Sequence, residues 1–237
     1  MLTNHRRALR FSMALLAGLV FMLVAVGRHP APSAPATTIP FVGSFDSTVF
    51  RWMDDIRTPI LTDLFRVMSV AGSGIVTIPL RVIVSVFLLI RRRFLALIAF
   101  LLTWAASELL LTYLKGFFHR GRPPHPLVDI QGYSFPSGHA TAGAAIAVAL
   151  VLVWFAPGPR RRKWEWAAMA FAFVMAFSRV YLAAHWFSDT VAGVLLGAGV
   201  AIGAAALVTE IANLLAGRGV ISAPETAPGD PLDPTLR

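Results

Sequence analysis

Three short segments of the chain concentrate the side chains that could bind and cleave a phosphate. The first, at residues 115–123, contains Lys115 and Arg122 and ends at prolines that cannot continue a helix. A lysine offers a point charge and an arginine offers a planar pair of donors, which together suit a tetrahedral oxyanion. Taken alone, this segment is more typical of a basic cluster beside a membrane, where long cationic side chains reach the interface.

The second segment, at residues 134–139, places serine and glycine where a helix of small residues is predicted to begin. Ser137 and Gly138 would leave unpaired backbone N–H groups at the helix start, which form a seat for an anion. His139 follows in the first turn, where it could give or take a proton near neutral pH. The same pattern also describes an ordinary helix cap with a solvent-facing histidine.

The third segment, at residues 178–189, brings Arg179, His185 and Asp189 to the ends of two apolar stretches. His185 and Asp189 are four residues apart, so a helical start to the last stretch would stack them on one face. Asp189 could then hold one ring nitrogen and leave the other free to attack. Because a membrane helix rarely keeps such residues for packing alone, this segment favours a functional site.

A membrane scaffold must position these segments, since the 237-residue chain is 57% hydrophobic and only 14% charged. A transmembrane helix needs about 20 mainly apolar residues. Six stretches approach this requirement, at about residues 11–27, 74–90, 94–114, 139–156, 164–183 and 189–215. The sequence therefore predicts an all-α, polytopic membrane protein, a bundle of six transmembrane helices. Arg81 in the second span must face the bundle interior or reach toward the interface, and residues 60–70 before it read as an amphipathic interfacial helix.

Clusters of basic residues set the predicted orientation. The clusters at residues 6–10, 91–93 and 160–163 fall on one side when six helices are threaded, and the positive-inside rule makes that side the cytoplasm. We therefore expect cytoplasmic termini and an inner (plasma) membrane protein whose three polar segments face the periplasm or the outside. The first stretch also fits a signal peptide, which would leave the remaining topology unchanged.

The membrane-flanking clusters account for the net charge of +9, so the bilayer, not nucleic acid, is the expected partner. We predict an N-terminal span with a Pro-rich outer loop at residues 1–58 and a catalytic core of five transmembrane helices at residues 59–215. Residues 216–237 are predicted to form a disordered cytoplasmic tail. The absence of cysteine excludes a thiolate nucleophile and cysteine-based metal sites. Nothing in the sequence indicates an oligomeric state.

The three segments resemble, in order and spacing, the signature motifs of the type 2 phosphatidic acid phosphatase family. The matching runs are Lys115-x6-Arg122-Pro123, Pro136-Ser137-Gly138-His139 and Ser178-Arg179-x5-His185-x3-Asp189. The resemblance covers about residues 50–215. One departure is Pro124, where many relatives carry a further arginine. The role of that arginine must be absent here or supplied by His125 or Arg120.

The resemblance implies a phosphohistidine mechanism, with His185 as the nucleophile, Asp189 as its orienting carboxylate and His139 as the general acid. It also implies that the phosphoryl oxygens are held by five residues: Lys115, Arg122, Ser137, Gly138 and Arg179. Three cations and a helix N-terminus can stabilise the charge of phosphoryl transfer without a metal. Since the nearby acids stand apart in sequence, we expect no metal and no cofactor.

A site at the outer interface suits a phosphate on a lipid whose tails stay in the bilayer. Similarity to compact six-span relatives makes undecaprenyl pyrophosphate, hydrolysed to undecaprenyl phosphate, the first choice of substrate. Phosphatidylglycerophosphate, phosphatidic acid and lipid A phosphates are the alternatives. Two other function classes stay open: phosphotransfer to an acceptor alcohol, and lipid binding without catalysis, which the presence of both histidines disfavours. Vanadium-dependent haloperoxidases have a similar phosphate cage but a soluble architecture.

Overall fold

The computed structural model describes residues 5–27 and 37–220, which form eight helices and no strand. In chain order they are α1 (His5–Val26), α2 (Pro40–Asp55), α3 (Pro59–Val70), α4 (Gly74–Ile90), α5 (Phe94–Phe118), α6 (Gly138–Trp154), α7 (Pro159–Tyr181) and α8 (Phe187–Gly217). The all-α prediction is confirmed. Residues 221–237 of the predicted tail and residues 28–36 of the predicted Pro-rich outer loop lie outside the described residues.

Within the described residues, four stretches are long and apolar enough to cross a membrane: α1, the α3–α4 stretch Pro59–Ile90, α5 and α8. α6 is equally apolar but only 17 residues long. α7 is long enough, but it starts with the basic run at residues 160–163 and carries Arg179 near its end. The polytopic membrane architecture is confirmed, and the predicted number of six spans is approximate.

The predicted outer loop at residues 28–58 contains a helix, α2. Pro40 occupies its first turn, where the missing N–H costs nothing. Asp46, Val49 and Met53 recur every three or four residues and form its buried face, which packs on α7 and α8. The stretch is not apolar enough to cross a membrane and was assigned to the loop between two predicted spans, so the helix was missed.

Residues 59–90 form two helices joined by the turn at residues 71–73. α3 matches the helix predicted at residues 60–70 and is capped by Thr58, whose side chain accepts a hydrogen bond from Leu61 N at 3.3 Å. Arg81 of α4 is 2% exposed and bonds Glu108 of α5 at 2.5 Å, so it faces the bundle interior. The location of α3 at the membrane interface stays a prediction.

α6 and α8 cross closely because small residues line both helices. A Cβ added to Gly193 of α8 would lie 2.6 Å from the backbone oxygen of Ser137 and 3.0 Å from Cβ of Ala140. Such contacts let helix backbones approach each other in membranes. Ser137 N also donates to Asp189 O at 3.0 Å, which joins the starts of the two helices. This crossing brings the second and third polar segments of the sequence together.

Candidate active site

The segment at residues 119–137 connects the end of α5 to the start of α6 and covers that end of the helical bundle. His119 ends α5 in the left-handed conformation, with φ of 50°. The segment returns to the bundle at Phe135, which is fully buried with its ring centroid 5.0 Å from that of Phe118. Ser134 N donates to Arg120 O at 2.9 Å. The first and second polar segments are thereby held side by side.

The start of α6 has the predicted capped geometry. Ser137 is fully buried, and its side chain accepts a hydrogen bond from Ala140 N at 3.5 Å. Gly138 is the first residue of the helix, and His139 follows, half-buried. The α3–α4 turn lies beside His139, since a Cβ added to Gly72 would be 3.1 Å from Cδ2 of His139. One wall of the site therefore comes from an element outside the three segments.

His185 and Asp189 are placed by the connection between α7 and α8. His185 N donates to Arg179 O at 3.2 Å, and Oδ2 of Asp189 accepts from Trp186 N at 2.9 Å. Both side chains are buried, and Nδ1 of His185 lies 3.6 Å from Oδ2 of Asp189. This distance is just beyond a hydrogen bond, and Nδ1 has no other partner among the residues that the structure describes. The carboxylate is therefore the group that Nδ1 faces.

The other ring nitrogen of His185 contacts Arg122. Nη1 of Arg122 lies 3.3 Å from Nε2 of His185. A guanidinium can only donate hydrogen bonds, so this contact requires an unprotonated Nε2. A neutral ring then carries its proton on Nδ1, on the side of Asp189. The contacts on the two nitrogens thus agree on one tautomer, in which Nε2 has a free electron pair.

Every N–H of the Arg122 guanidinium points at an acceptor in the protein. Besides His185, Nη1 donates to Ala184 O at 2.7 Å. Nε donates to Gly132 O at 2.9 Å, and Nη2 donates to the carbonyl oxygens of residues 131 and 133 at 2.9 and 3.1 Å. Lys115 Nζ donates to the carbonyl of Tyr133 at 2.7 Å. A phosphate that uses these donors must therefore displace some of the carbonyl groups of residues 131–133.

The third predicted cation, Arg179, is held from α3. Its side chain is 3% exposed, and Nη1 donates to the hydroxyl of Ser69. Within residues 5–27 and 37–220, Nε of Arg179 has no hydrogen-bond partner. Lys115 lies within electrostatic reach of both Arg122 and Arg179. The three cations thus share one region, although they come from α5, the α5–α6 segment and α7.

Burial and charge keep His185 neutral. Burial lowers the pKa of His185 to about 3, with Lys115 and Arg122 acting in the same direction and Asp189 opposing them. Burial also lowers the pKa of Arg122, against the effect of Asp189. The ring is consequently uncharged at physiological pH, which is the form that a nucleophile needs.

The sequence interpretation missed three buried polar residues around Asp189. Arg120 donates to Oδ1 of Asp189 at 2.5 Å, and Ser188 and Asp46 bond to Arg120 in turn. Arg120 was considered only as a substitute for an arginine after Pro123, whereas His125, the other substitute, is exposed. Asp46 carried no local signal except that it is the acid on the apolar face of α2. Across residues 5–27 and 37–220, no three His, Asp or Glu side chains are grouped to hold a metal ion.

Comparisons with known proteins match this architecture. Residues 96–212, which include all three motifs, match the family model of the PAP2 superfamily. The chain is 30% identical over 161 residues to phosphatidylglycerophosphatase B of Bacillus subtilis (strain 168), covering 66% of this chain and 79% of that protein.

Two crystal structures are similar to the fold. The first transmembrane PAP2 type phosphatidylglycerolphosphate phosphatase from Bacillus subtilis superposes with a TM-score of 0.68 at 25% identity, covering 84% of this chain and 94% of that one. LpxE of Aquifex aeolicus gives a TM-score of 0.56 at 26% identity, covering 68% and 94%. From the motifs, the relative and the fold, this multi-pass membrane protein belongs to the PAP2 superfamily, the type 2 phosphatidic acid phosphatases.

Proposed function

We propose that this PAP2-type membrane lipid phosphatase transfers the phosphoryl group of its substrate first to Nε2 of His185 and then to water. One observation carries the proposal: Arg122 donates toward Nε2 while Nδ1 faces Asp189. These contacts fit a ring that burial keeps neutral and that carries its proton on Nδ1, which leaves Nε2 free to attack.

In the first step, the electron pair on Nε2 of His185 forms a bond to phosphorus. The bond between phosphorus and the leaving oxygen breaks, and its electron pair goes to that oxygen. His139, entering in its protonated form, gives its proton to the departing oxygen. The His185 ring becomes positively charged as it is phosphorylated, and the carboxylate of Asp189 stabilises that charge.

In the second step, water attacks phosphorus and the phosphorus–nitrogen bond breaks. The electron pair returns to Nε2 of His185, and His139, now neutral, takes a proton from the attacking water. Inorganic phosphate leaves, and both histidines return to their starting forms. The order of events requires His139 to act as an acid and then as a base.

Three cations would bind the transferred phosphoryl group. Lys115, Arg122 and Arg179 lie within electrostatic reach of His139 in the first turn of α6, which is capped by Ser137 and begins at Gly138. Charge on the three equatorial oxygens is stabilised by such groups when they are fixed before the reaction. This arrangement supports catalysis that needs neither a metal nor a cofactor.

The names of the relatives bear on the choice of lipid. Phosphatidylglycerophosphatase B of Bacillus subtilis shares 30% identity over most of its length, so phosphatidylglycerophosphate is a candidate substrate with direct support from a relative. Undecaprenyl pyrophosphate stays a prediction and has no comparable support. Both lipids carry their phosphate at the membrane surface. We propose that the site faces the outer side of the membrane.

A lipid panel tests the function. Purified wild-type protein and the His185→Ala variant would be assayed for phosphate release from phosphatidylglycerophosphate, undecaprenyl pyrophosphate, phosphatidic acid and a lipid A phosphate. We expect release from at least one lipid by the wild type and none by the variant. Equal release by both proteins would contradict the proposed nucleophile, and release from none of the lipids would contradict the substrate class.

A further inference from the structure

Asp46 connects α2 to the start of α8 in the buried interior. Its side chain is 1% exposed, and its carboxylate accepts three hydrogen bonds from the α8 start and from Arg120. Oδ1 accepts from Ser188 N at 2.8 Å, while Oδ2 accepts from Ser188 Oγ at 2.5 Å and from Arg120 Nη2 at 2.7 Å. Since Ser188 N is one of the unpaired donors of the first turn, Asp46 caps α8 from another helix.

Arg120 binds two carboxylates with one guanidinium. Nη2 donates to Asp46, and Nη1 donates to Oδ1 of Asp189 at 2.5 Å and to Ser188 Oγ at 2.7 Å. The guanidinium also lies 5.8 Å from the ring centroid of Trp186. Arg120 is 1% exposed, so these contacts are made away from solvent. Removing one partner of such a buried ion pair strongly lowers the free energy of unfolding, because the other charge is left buried and unpaired.

The two oxygens of Asp189 have different partners. Oδ1 bonds Arg120, while Oδ2 accepts from Trp186 N and faces Nδ1 of His185. A carboxylate fixed at both oxygens cannot rotate freely, so the direction of Oδ2 toward the histidine depends on the bond at Oδ1. Arg120 thus acts on the histidine ring through Asp189, without touching it.

The cluster of Arg120, Asp46 and Asp189 has a net charge of −1, which faces His185. Arg120 carries one positive charge against the two carboxylates, so the three side chains together are singly negative. Burial raises the pKa of the Asp46 carboxyl, and the charge of Arg120 and the hydrogen bonds from Ser188 oppose that rise. Burial alone would lower the pKa of Arg120, but Asp189 and Asp46 raise it. Each member of the cluster therefore depends on the others for its ionised form.

We propose that Arg120, anchored by Asp46 of α2, is a positioning residue that keeps Asp189 ionised and directed at Nδ1 of His185. The inference rests on the proposed role of His185 as nucleophile. In the sequence, Arg120 stands two residues before Arg122, yet the two arginines act on different sides of the histidine. Arg122 contacts Nε2 directly, and Arg120 controls the carboxylate that faces Nδ1.

The pH dependence distinguishes this role from a purely structural one. Among the described residues, the charged or titratable groups that act on Asp189 are Arg120, Lys115 of α5, Arg122 and His185, and Asp46 is linked to it through Arg120. α6 and α7 bring His139 and Arg179 to the same site. With Arg120 removed, two buried carboxylates lose their shared cation, and one of them takes up a proton at higher pH. With a neutral asparagine at position 46, Arg120 pairs with Asp189 alone, so Asp189 stays ionised to lower pH. Arg120 then offsets more of the negative charge of Asp189, so the carboxylate attracts the His185 ring less strongly.

The experiment compares Arg120→Met, Arg120→Lys and Asp46→Asn with the wild type in detergent, after each is shown to be folded and monodisperse. For Arg120→Met we expect kcat to fall by about 10- to 100-fold, the range found when residues that orient metal-bound histidines are removed, with KM little changed. The acid limb of its profile of kcat against pH should move to higher pH. In Asp46→Asn kcat should also fall, and the acid limb should move in the opposite direction. Arg120→Lys keeps the cation, so its acid limb should stay near that of the wild type while kcat is reduced.

Arg81→Met is the matched control, because Arg81 is also a buried arginine paired with a carboxylate, Glu108. Replacing Arg81 should lower the free energy of unfolding and leave the acid limb of the kcat profile unchanged. A wild-type acid limb in Arg120→Met, or equal displacements in the same direction in the Arg120 and Asp46 variants, would overturn the positioning role. If Arg120→Met does not fold, a wild-type kcat in Arg120→Lys would overturn it as well. An active His185→Ala variant would instead contradict the proposed nucleophile itself.

Discussion

Nη1 of Arg122 lies 3.3 Å from Nε2 of His185, so the nitrogen proposed to attack phosphorus is covered by a cation. The same guanidinium holds the backbone carbonyls of residues 131–133. In the proposed mechanism Arg122 therefore has two roles: it fixes the tautomer of His185, and it transfers its donors from carbonyl oxygens to phosphoryl oxygens. An arginine can do both because its donors form a fixed planar fork.

Arg122→Lys should lower kcat/KM by about 10²-fold, because a lysine keeps the charge but loses the fork that stabilises the transition state. Steady-state kinetics on the preferred lipid measures the loss. Arg66→Lys is the control, since Arg66 also donates to a carbonyl of the α5–α6 segment, that of Leu127, but is exposed and outside the site. Equal losses in the two variants would mean that Arg122 only anchors the segment.

The two histidines should respond differently to the leaving group. His185→Ala should be inactive on every substrate, because it removes the covalent route. His139→Ala should lose ~10²- to 10⁴-fold on a lipid monoester, the usual range for general acid catalysis. On p-nitrophenyl phosphate it should keep much more of its rate, because nitrophenolate needs no proton to leave. A pyrophosphate lipid should fall between the two.

The measurement is kcat/KM of both variants on all three substrates, after each variant is shown to fold and insert. Equal losses for His139→Ala across the series would leave that residue as a phosphate ligand only. Rescue of His185→Ala by the activated ester would mean that the two roles are exchanged.

The three motifs were readable from the sequence because each lies within a few residues along the chain. Lys115 and Arg122, Ser137 to His139, and His185 with Asp189 are local patterns, and the ends of neighbouring apolar helices brought them to one end of the bundle. The overall all-helical membrane architecture followed from the long apolar stretches. Residue type and local spacing were enough for the motifs, and the length of the apolar stretches was enough for the architecture.

The contacts that complete the site are long-range and could not be read in this way. Asp46 contacts Ser188, 142 residues away, from a helix that was assigned to the loop between two predicted spans. Ser69 reaches Arg179 from an amphipathic helix, 110 residues away. A single sequence shows no relation between such residues, because hydrogen bonds across helices leave no spacing to detect. The shortness of α6 and the basic start of α7 likewise made the number of spans approximate.

The orientation predicted from the basic clusters can be tested with single cysteines, since the chain has none. His125→Cys should be labelled from outside intact cells by an impermeant thiol reagent, and Lys163→Cys should not. Both positions are exposed, whereas Phe118 and Ala184 on the same predicted outer side are buried and unsuitable. The reverse labelling pattern would put the site on the cytoplasmic side.

Activity should survive chelation, because three cations and a helix N-terminus supply the positive charge that a metal would otherwise provide. The test adds EDTA to the purified enzyme during turnover on its lipid, and separately adds vanadate, which can occupy the same cations. We expect no effect of EDTA and inhibition by vanadate. Loss of activity in EDTA that magnesium restores would contradict metal independence.

The covalent intermediate is the most direct consequence of the mechanism. Wild-type protein would be mixed with a lipid substrate labelled in its phosphate, quenched in alkali, under which phosphohistidine persists, and digested for mass spectrometry. We expect one phosphorylated residue, His185, with the label lost on acid treatment and no label in His185→Ala. The His139→Ala variant, whose second step lacks its base, should accumulate more label from p-nitrophenyl phosphate than the wild type does. Label on another residue, or turnover without any labelled protein under these conditions, would contradict attack by His185.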